Sequence, residues 1–96
     1  MRNRYLVAYD IRNPTRLRKV YVKMRGFGDP LQYSVFVCDL SNKERALLIS
    51  DLKELILVSE DSIAIVCMGS PKGEITDKVE FLGRIPDIKE RSAVIV

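Results

Sequence analysis

Asp10 is the one acidic residue among the first 25, and it stands at the end of a short apolar run. Eight cations share this segment: Arg2, Arg4, Arg12, Arg16, Arg18, Lys19, Lys23 and Arg25. A carboxylate among cations is a place where a metal ion and a phosphate group can meet. Magnesium is held by one or two carboxylates with waters and phosphate oxygens, and a bound metal activates water and offsets charge on a phosphodiester. We therefore take Asp10 as the candidate catalytic residue and candidate Mg²⁺ ligand.

The cations that follow Asp10 indicate a nucleic acid as substrate or partner. Arg12, Arg16, Arg18 and Lys19 are predicted to contact phosphate groups, which positions nucleic acid without reading its sequence. Two plainer interpretations compete with this one. Asp10 would accept backbone hydrogen bonds in a turn, and the cations would form an ordinary solvated helix face.

The composition excludes several catalytic chemistries. The chain has no histidine, which removes Ser-His-Asp triads, Cys-His pairs, two-histidine ribonucleases and histidine-ligated zinc. Cys38 and Cys67 lie far apart within apolar runs, so we expect two small buried hydrophobic residues rather than a disulfide or a metal site. Hydrolysis is then left to carboxylate, metal and basic residues.

The chain, residues 1–96, is predicted to form one globular domain. It is 47% hydrophobic and 30% charged, which is typical of a folded domain and not of a disordered chain. No apolar run is long enough to span a bilayer, and no signal peptide is recognisable. We expect a cytoplasmic protein with no membrane association.

The hydrophobic pattern predicts the elements that position Asp10. Residues 4–11 are typical of a buried strand. Asn13 then caps a helix whose first residue is Pro14, and Gly26 ends it. The apolar stripe of this helix has the expected spacing: Leu17, Val20, Tyr21 and Met24. Residues 31–40 are predicted to form the second strand.

The second half of the chain is predicted to hold another helix and three strands. Ser41 and Glu44 form a capping box, and the helix that it starts continues to about Leu57. The strands are expected at 62–68, 78–82 and 92–96. We assign the chain to the ferredoxin-like α+β class: a βαββαβ sandwich with an antiparallel four-stranded sheet, two helices on one face and an extra C-terminal strand.

Two helices can cover only one face of such a sheet, yet the first strand is apolar on both faces. On this strand two sets of side chains alternate: Tyr5, Val7 and Tyr9 with Leu6 and Ala8. An uncovered apolar face is usually covered by another surface, and a second copy of the chain is the simplest cover. We therefore predict a homodimer, in which a two-fold axis can bring two Asp10 carboxylates together.

Three residues have a supporting role in this interpretation. Tyr9 alternates to the face opposite Asp10, so its ring is expected to pack rather than to stack on a base. Ser34 is a candidate phosphate contact, with a local hydrogen bond as the alternative, and Phe36 is expected in the core. A reader of single-stranded RNA would need exposed aromatic residues on its central strands, and the 62–68 strand has none.

The same residues resemble the CRISPR-associated protein 2 family, the small partner of the CRISPR integrase. The resemblance consists of Tyr9-Asp10-Ile11 at the end of the first strand, a basic helix, a glycine, and then Gln32-Tyr33-Ser34-Val35-Phe36. It covers residues 4–68 and extends to the chain length and the strand order. It implies a ferredoxin-like homodimer with metal-dependent endonuclease activity on RNA or double-stranded DNA.

The resemblance also implies roles for single residues. The family's metal-binding aspartate corresponds to Asp10 and places magnesium at the dimer interface. The family's neighbouring tyrosine, serine and phenylalanine correspond to Tyr9, Ser34 and Phe36. In spacer acquisition the family holds duplex DNA on a basic surface, which is matched here by Arg16, Arg18 and Lys19. One departure is Pro30-Leu31, where some members carry a basic residue, so one phosphate contact is missing.

Two functions from different classes follow from these observations. The first is a Mg²⁺-dependent endonuclease that cleaves phosphodiester bonds in RNA or DNA. The second is a non-catalytic homodimeric scaffold that holds duplex DNA for the CRISPR integrase protein. A third possibility, a small-molecule regulatory domain of the same fold, would need a polar, glycine-lined pocket at the dimer interface, and the sequence does not support one.

Overall fold

The computed structural model describes residues 1–86, which form one four-stranded sheet and two helices. The elements follow the chain as β1 (Arg2–Asp10), α1 (Pro14–Arg25), β2 (Asp29–Gln32), β3 (Val35–Ser41), α2 (Asn42–Leu55), β4 (Ser62–Gly69) and a short 3-10 helix (Ile75–Asp77). The sheet order is β2-β3-β1-β4, and every neighbouring pair is antiparallel. This is the ferredoxin-like arrangement, so the predicted fold class is confirmed.

The prediction of one strand at residues 31–40 is wrong, because the chain reverses within it. Tyr33 and Ser34 form a turn between β2 and β3, and the Tyr9 amide donates a hydrogen bond to the Ser34 carbonyl at 3.0 Å. Tight hairpin turns are usually recognised by glycine or asparagine with positive φ, whereas no non-glycine residue of the described chain has positive φ. The hairpin supplies both strands that the βαββαβ order needs between its helices.

The predicted strand at residues 78–82 is also wrong, because the described sheet contains no such strand. The 3-10 helix comes just before this segment, and there the Glu74 amide donates a hydrogen bond to the Asp77 carboxylate at 3.1 Å. Leu82 is 99% exposed, so the alternation of residue types in this segment is not matched by burial. The predicted strand at residues 92–96 lies outside the described residues.

Both helices begin with the caps that the sequence predicts. The Asn13 side chain accepts two backbone hydrogen bonds, 2.9 and 3.0 Å long, and Pro14 is the first residue of α1. Ser41 and Glu44 form the capping box of α2, which ends at Leu55, slightly earlier than expected. These caps satisfy amides that a helix leaves without intrahelical partners. Neither helix of the described chain is long and apolar enough to cross a membrane.

Helices α1 and α2 pack on the face of the sheet that carries the aromatic residues of β1. The principal core residues are Tyr5, Val7, Tyr9, Val20, Met24, Phe36, Cys38, Leu40, Leu48 and Leu52. The fully buried Phe36 ring packs edge-on against Tyr21, with ring centroids 5.4 Å apart. Gly28 is required where α1 returns to the sheet, because a Cβ there would collide with the Val37 carbonyl and the Cys38 sulfur.

The two cysteines differ in their surroundings. Cys38 is buried as expected, whereas the expectation for Cys67 is wrong, since this residue is exposed on β4. The reason is the position of β4 at an edge of the described sheet, where it has a neighbouring strand on one side only. No disulfide joins Cys38 to Cys67, as predicted.

The other face of the sheet carries small apolar side chains and is not covered by α1 or α2. We call it the open face and define it by six residues: Leu6, Ala8, Val35, Val37, Ala64 and Val66. The strand register places these residues side by side, because Leu6 and Ala8 pair with the two valines of β3 and with residues 66 and 64 of β4. Val66 is 52% exposed. An apolar strip therefore runs across three strands on this side.

Candidate functional site

Asp10 is the last residue of β1 and alternates to the open face, at the end of the apolar strip. Its side chain is exposed and makes no hydrogen bond or ion pair with a described residue. Ser62 of β4 lies opposite it in the strand register. The carboxylate is therefore available to a ligand, and the competing interpretation as an acceptor in a turn has no hydrogen bond to support it.

One copy of the chain offers few ligands for a metal ion at this position. Residues 1–86 contain no group of three or more histidine, cysteine, aspartate or glutamate side chains that could hold a metal. Mg²⁺ nevertheless needs only one or two protein carboxylates when waters and phosphate oxygens complete its octahedral shell. The exposed Asp10 carboxylate fits such a ligand.

The turn after Asp10 is held by a carboxylate from the loop before β4, Asp61. Its side chain has no exposed surface. It accepts hydrogen bonds from the amides of Arg12 and Leu57, at 3.1 and 2.9 Å, and from the guanidinium of Arg16 at 2.7 and 3.1 Å. These links connect the start of α1 with the segment that follows α2, next to the place where Asp10 pairs with β4.

The hydrogen bonds from Arg16 dominate the electrostatics of Asp61. They hold the pKa of the Asp61 carboxyl well below its usual range, and the backbone amides that it accepts from act in the same direction. Burial opposes them, because it disfavours the charged form. The pKa of Arg16 is raised by the same pairing and by its hydrogen bond to Glu60. The network is therefore charged on both sides throughout the neutral pH range.

Half of the eight N-terminal cations form ion pairs with other residues of the described chain. Arg16 contacts Asp61 and Glu60, at 2.7 and 2.8 Å. The other pairs are Arg2 with Glu44, Arg4 with Asp39, and Lys23 with Asp51. The contact of Arg16 with phosphate stays a prediction, because the guanidinium already has two carboxylate partners.

Three of the four predicted phosphate contacts remain exposed: Arg12, Arg18 and Lys19. None of them forms an ion pair with a residue of the described chain. We call these three residues the basic surface. Arg12 lies in the turn that Asp61 holds, and the other two lie on α1. Arg12 is thus a near neighbour of Asp10 in the sequence, and Arg18 and Lys19 lie on the helix that follows.

Tyr9 and Phe36 lie on the helix-covered side, away from the Asp10 carboxylate. Tyr9 is 6% exposed, and its ring is stacked on that of Phe36 with centroids 6.2 Å apart. Packing is therefore confirmed for both rings. Ser34 lies in the β2–β3 turn, where its carbonyl binds the Tyr9 amide. Their contacts fix the position of β1, whose last residue is Asp10.

Asp61 is the residue of this site that sequence reasoning missed. It stands in a short polar loop with no motif around it, where an aspartate is usually solvated. The contacts that bury it come from Arg12 and Arg16, 49 and 45 residues earlier in the chain. No local pattern of the sequence reports a contact over that distance.

Comparisons with known proteins identify relatives that cover most of the chain. A family model described as CRISPR associated protein Cas2 matches residues 2–73. A CRISPR-associated endoribonuclease Cas2 from Geobacter sulfurreducens is 38% identical over 96 residues, which is the full length of both chains. A CRISPR-associated endoribonuclease Cas2 1 from Rhodospirillum rubrum is 38% identical and covers 96% of this chain and 89% of its own. The crystal structure of Streptococcus pyogenes Cas2 aligns with a TM-score of 0.74 and 30% identity, covering 83% of this chain and 99% of that one.

We expect the substitution Asp61→Asn to lower the melting temperature at neutral pH by several degrees. We also expect the melting temperature of this variant to fall less steeply than that of the parent protein as the pH is lowered. The folded-state pKa of Asp61 lies below the unfolded value. The stability it contributes is therefore present above the ordinary carboxyl pKa of about 4 and is lost as the pH falls through the lower folded pKa. Thermal unfolding followed by circular dichroism, at a series of pH values from neutral into acid, measures this.

The exposed Glu54→Gln variant is the matched control and should reproduce the parent profile. Some acid sensitivity will remain in Asp61→Asn, because the Arg2 ion pair lowers the pKa of Glu44 to about 2. Parallel curves for the parent protein and Asp61→Asn would show that the Asp61 network does not stabilise the fold.

Proposed function

Because the chain belongs to the CRISPR-associated Cas2 family, we propose that it is a homodimeric, Mg²⁺-dependent endonuclease of CRISPR spacer acquisition that cleaves phosphodiester bonds in RNA or DNA at Asp10. The observation that carries this proposal is the exposed Asp10 carboxylate, without a partner in the described chain, at the end of an apolar sheet face. The relatives named endoribonucleases support a nuclease activity.

The proposed dimer follows from the open face. Its six apolar residues lie on three adjacent strands and are left uncovered by α1 and α2. Surfaces of this kind usually mark an interface, and a two-fold arrangement presents the same patch on both subunits. Asp10 lies at one end of the strip, so an axis near that end brings the two carboxylates together.

A shared Mg²⁺ ion suits this arrangement. Two Asp10 carboxylates provide the one or two protein ligands that Mg²⁺ needs beside water and phosphate oxygens. When bound, the ion would lower the pKa of a water ligand and offset the negative charge that grows on the phosphodiester. Without an ion, two carboxylates this close would repel each other.

The residues of this chain position the substrate rather than provide a second catalytic group. Arg12 and the other cations of the basic surface bind the phosphate backbone, which holds either RNA or duplex DNA without reading sequence. The network of Asp61 keeps Arg12 fixed relative to the end of β1. Because Pro30-Leu31 supplies no cation, backbone binding depends more on the basic surface.

The alternative function is a non-catalytic scaffold that holds duplex DNA for the CRISPR integrase protein. The exposed Arg12, Arg18 and Lys19 favour it, because they can bind duplex DNA whether or not Asp10 binds a metal. The two functions share the dimer and the basic surface, so they differ only in the chemistry at Asp10.

Replacing Asp10 separates the two functions. We expect Asp10→Ala to lower Mg²⁺-dependent cleavage of a labelled RNA or duplex DNA by about 100-fold or more, because a metal ligand is lost. Light scattering should show an intact dimer, and Glu54→Gln, an exposed charge neutralisation on α2, should cleave normally. Undiminished cleavage by the Asp10→Ala dimer would contradict the catalytic role and leave the scaffold.

Neutralising the basic surface tests its part in binding DNA. We expect the double substitution Arg18→Gln, Lys19→Gln to weaken duplex binding and to reduce the slope of log affinity against log salt by about 2 for each subunit that contacts the duplex, because each phosphate contact contributes about 0.9. Fluorescence anisotropy across a salt series gives this slope. Lys43→Gln, an exposed lysine at the start of α2, should leave it unchanged. An unaltered slope in the double variant would remove α1 from the DNA-binding surface.

A further inference from the structure

A groove lies on the helix-covered side of the sheet, on the side opposite to the Asp10 carboxylate. It has a volume of about 820 Å³ and runs between the first half of α1, the end of β1, the β2–β3 turn and residues 84–86. The polar, charged and aromatic side chains of its lining are those of Tyr9, Arg18, Tyr21, Gln32, Tyr33 and Arg84. Sites for small molecules usually measure about 300–1,000 Å³, so the groove has the size of such a site.

The charge of the groove favours an anion. Among residues 1–86, its lining contains two arginines and no carboxylate. Both Arg18 and Arg84 are exposed, and neither forms an ion pair with a described residue. Arginine presents a planar fork of donors that matches the oxygens of a phosphate group. An anion in the groove would therefore meet two guanidinium groups, and no lining residue of the described chain brings a competing negative charge.

A hydrogen-bond donor without a partner lies in the wall of the same groove. Tyr9 is 6% exposed, and its hydroxyl makes no hydrogen bond with any described residue. Burial, followed by the neighbouring phenols of Tyr21 and Tyr33, raises the pKa of Tyr9 to about 12. The hydroxyl therefore keeps its proton at neutral pH. Buried polar groups nearly always have a partner, so an acceptor atom of a ligand would satisfy this hydroxyl.

Aromatic side chains complete the lining. Tyr33 is 75% exposed on the β2–β3 turn, and Tyr21 of α1 is half-buried beside the core. Exposed aromatic rings bind nucleobases by stacking. The Tyr9 hydroxyl lies within the wall, so a ligand reaches it only when a lining side chain shifts. Tyr33 has room to do so because it is largely solvated.

We propose that this groove is a second binding site, which takes a nucleoside 5′-monophosphate, either free or as the phosphorylated end of a single strand. The phosphate of the nucleotide binds Arg18 and Arg84, and its base stacks on Tyr33. The Tyr9 hydroxyl donates a hydrogen bond to the nucleotide. The site shares Arg18 with the basic surface but does not include the proposed catalytic residue, because Asp10 alternates to the other face of the sheet and does not line the groove.

Isothermal titration calorimetry of the full chain with adenosine 5′-monophosphate tests this proposal. A chelator keeps the buffer free of divalent ions, so that the result does not depend on metal chemistry at Asp10. We expect saturable binding of one nucleotide per chain. Adenosine and inorganic phosphate, titrated separately, should each bind at least tenfold more weakly, since each offers half of the contacts.

Two variants test the contacts one at a time, and a third is the control. Arg84→Gln should weaken binding about tenfold or more, which is the usual effect of losing a charge-assisted hydrogen bond. Tyr9→Phe removes only the hydroxyl and should weaken binding about threefold to tenfold. Arg25→Gln, an exposed arginine at the end of α1 that does not line the groove, should bind like the parent.

A 5′-phosphorylated tetra-adenylate distinguishes the two sources of the ligand. Tighter binding than that of the mononucleotide, still sensitive to Tyr9→Phe, assigns the site to a strand end, whereas equal binding assigns it to a free nucleotide. Absence of nucleotide binding would overturn the proposal. So would binding that Arg84→Gln and Tyr9→Phe both leave unchanged while their amide NMR spectra show the native fold.

Discussion

The two-residue repeat of β1 is the constraint on which the rest of the structure depends. It sends Tyr9 into the core beneath the helices and Asp10 to the opposite face, although the two residues are neighbours in the chain. A shift of the strand register by one residue would exchange the two faces. The large aromatic rings prevent this, because Tyr9 stacks on Phe36 and Phe36 packs against Tyr21. Core packing on one side thus fixes the carboxylate on the other.

The cations of the first 25 residues fall into two groups, which differ in whether they form ion pairs with described residues. Arg2, Arg4 and Arg16 join distant parts of the chain through ion pairs, and Arg4 also donates to the carbonyls of Pro71 and Gly73. Arg12, Arg18 and Lys19 stay exposed. A count of charges in the sequence overstates the surface available to a polyanion, since part of the charge is neutralised within the fold. The exposed cations are the ones available for sequence-independent contacts with phosphate.

The sequence predicted the parts of this structure that depend on local chemistry. Helix caps at Asn13 and Ser41 are local, and both were recognised. The turn at Tyr33-Ser34 is not predicted from the sequence, because neither residue has positive φ. The turn therefore contains no glycine or asparagine by which it could be recognised. The segment at residues 78–82 is the opposite case. Its residue types alternate as in a strand, but it forms no strand of the described sheet. Asp10 stands out in the sequence as a candidate because it is alone among cations, and its role stays a prediction. Asp61 does not stand out, because its partners are distant in the chain.

The central claim is that two copies of the chain pack through the open face and bring their Asp10 residues together. Cross-linking of Asp10→Cys with a short bismaleimide, in a Cys67→Ser background, tests it most directly. Arg25→Cys, at the end of α1 on the helix-covered side, is the matched position. The account predicts covalent dimers through position 10 and none through position 25. A protein that sediments as a monomer, or dimers captured at position 25 but not at position 10, would contradict it.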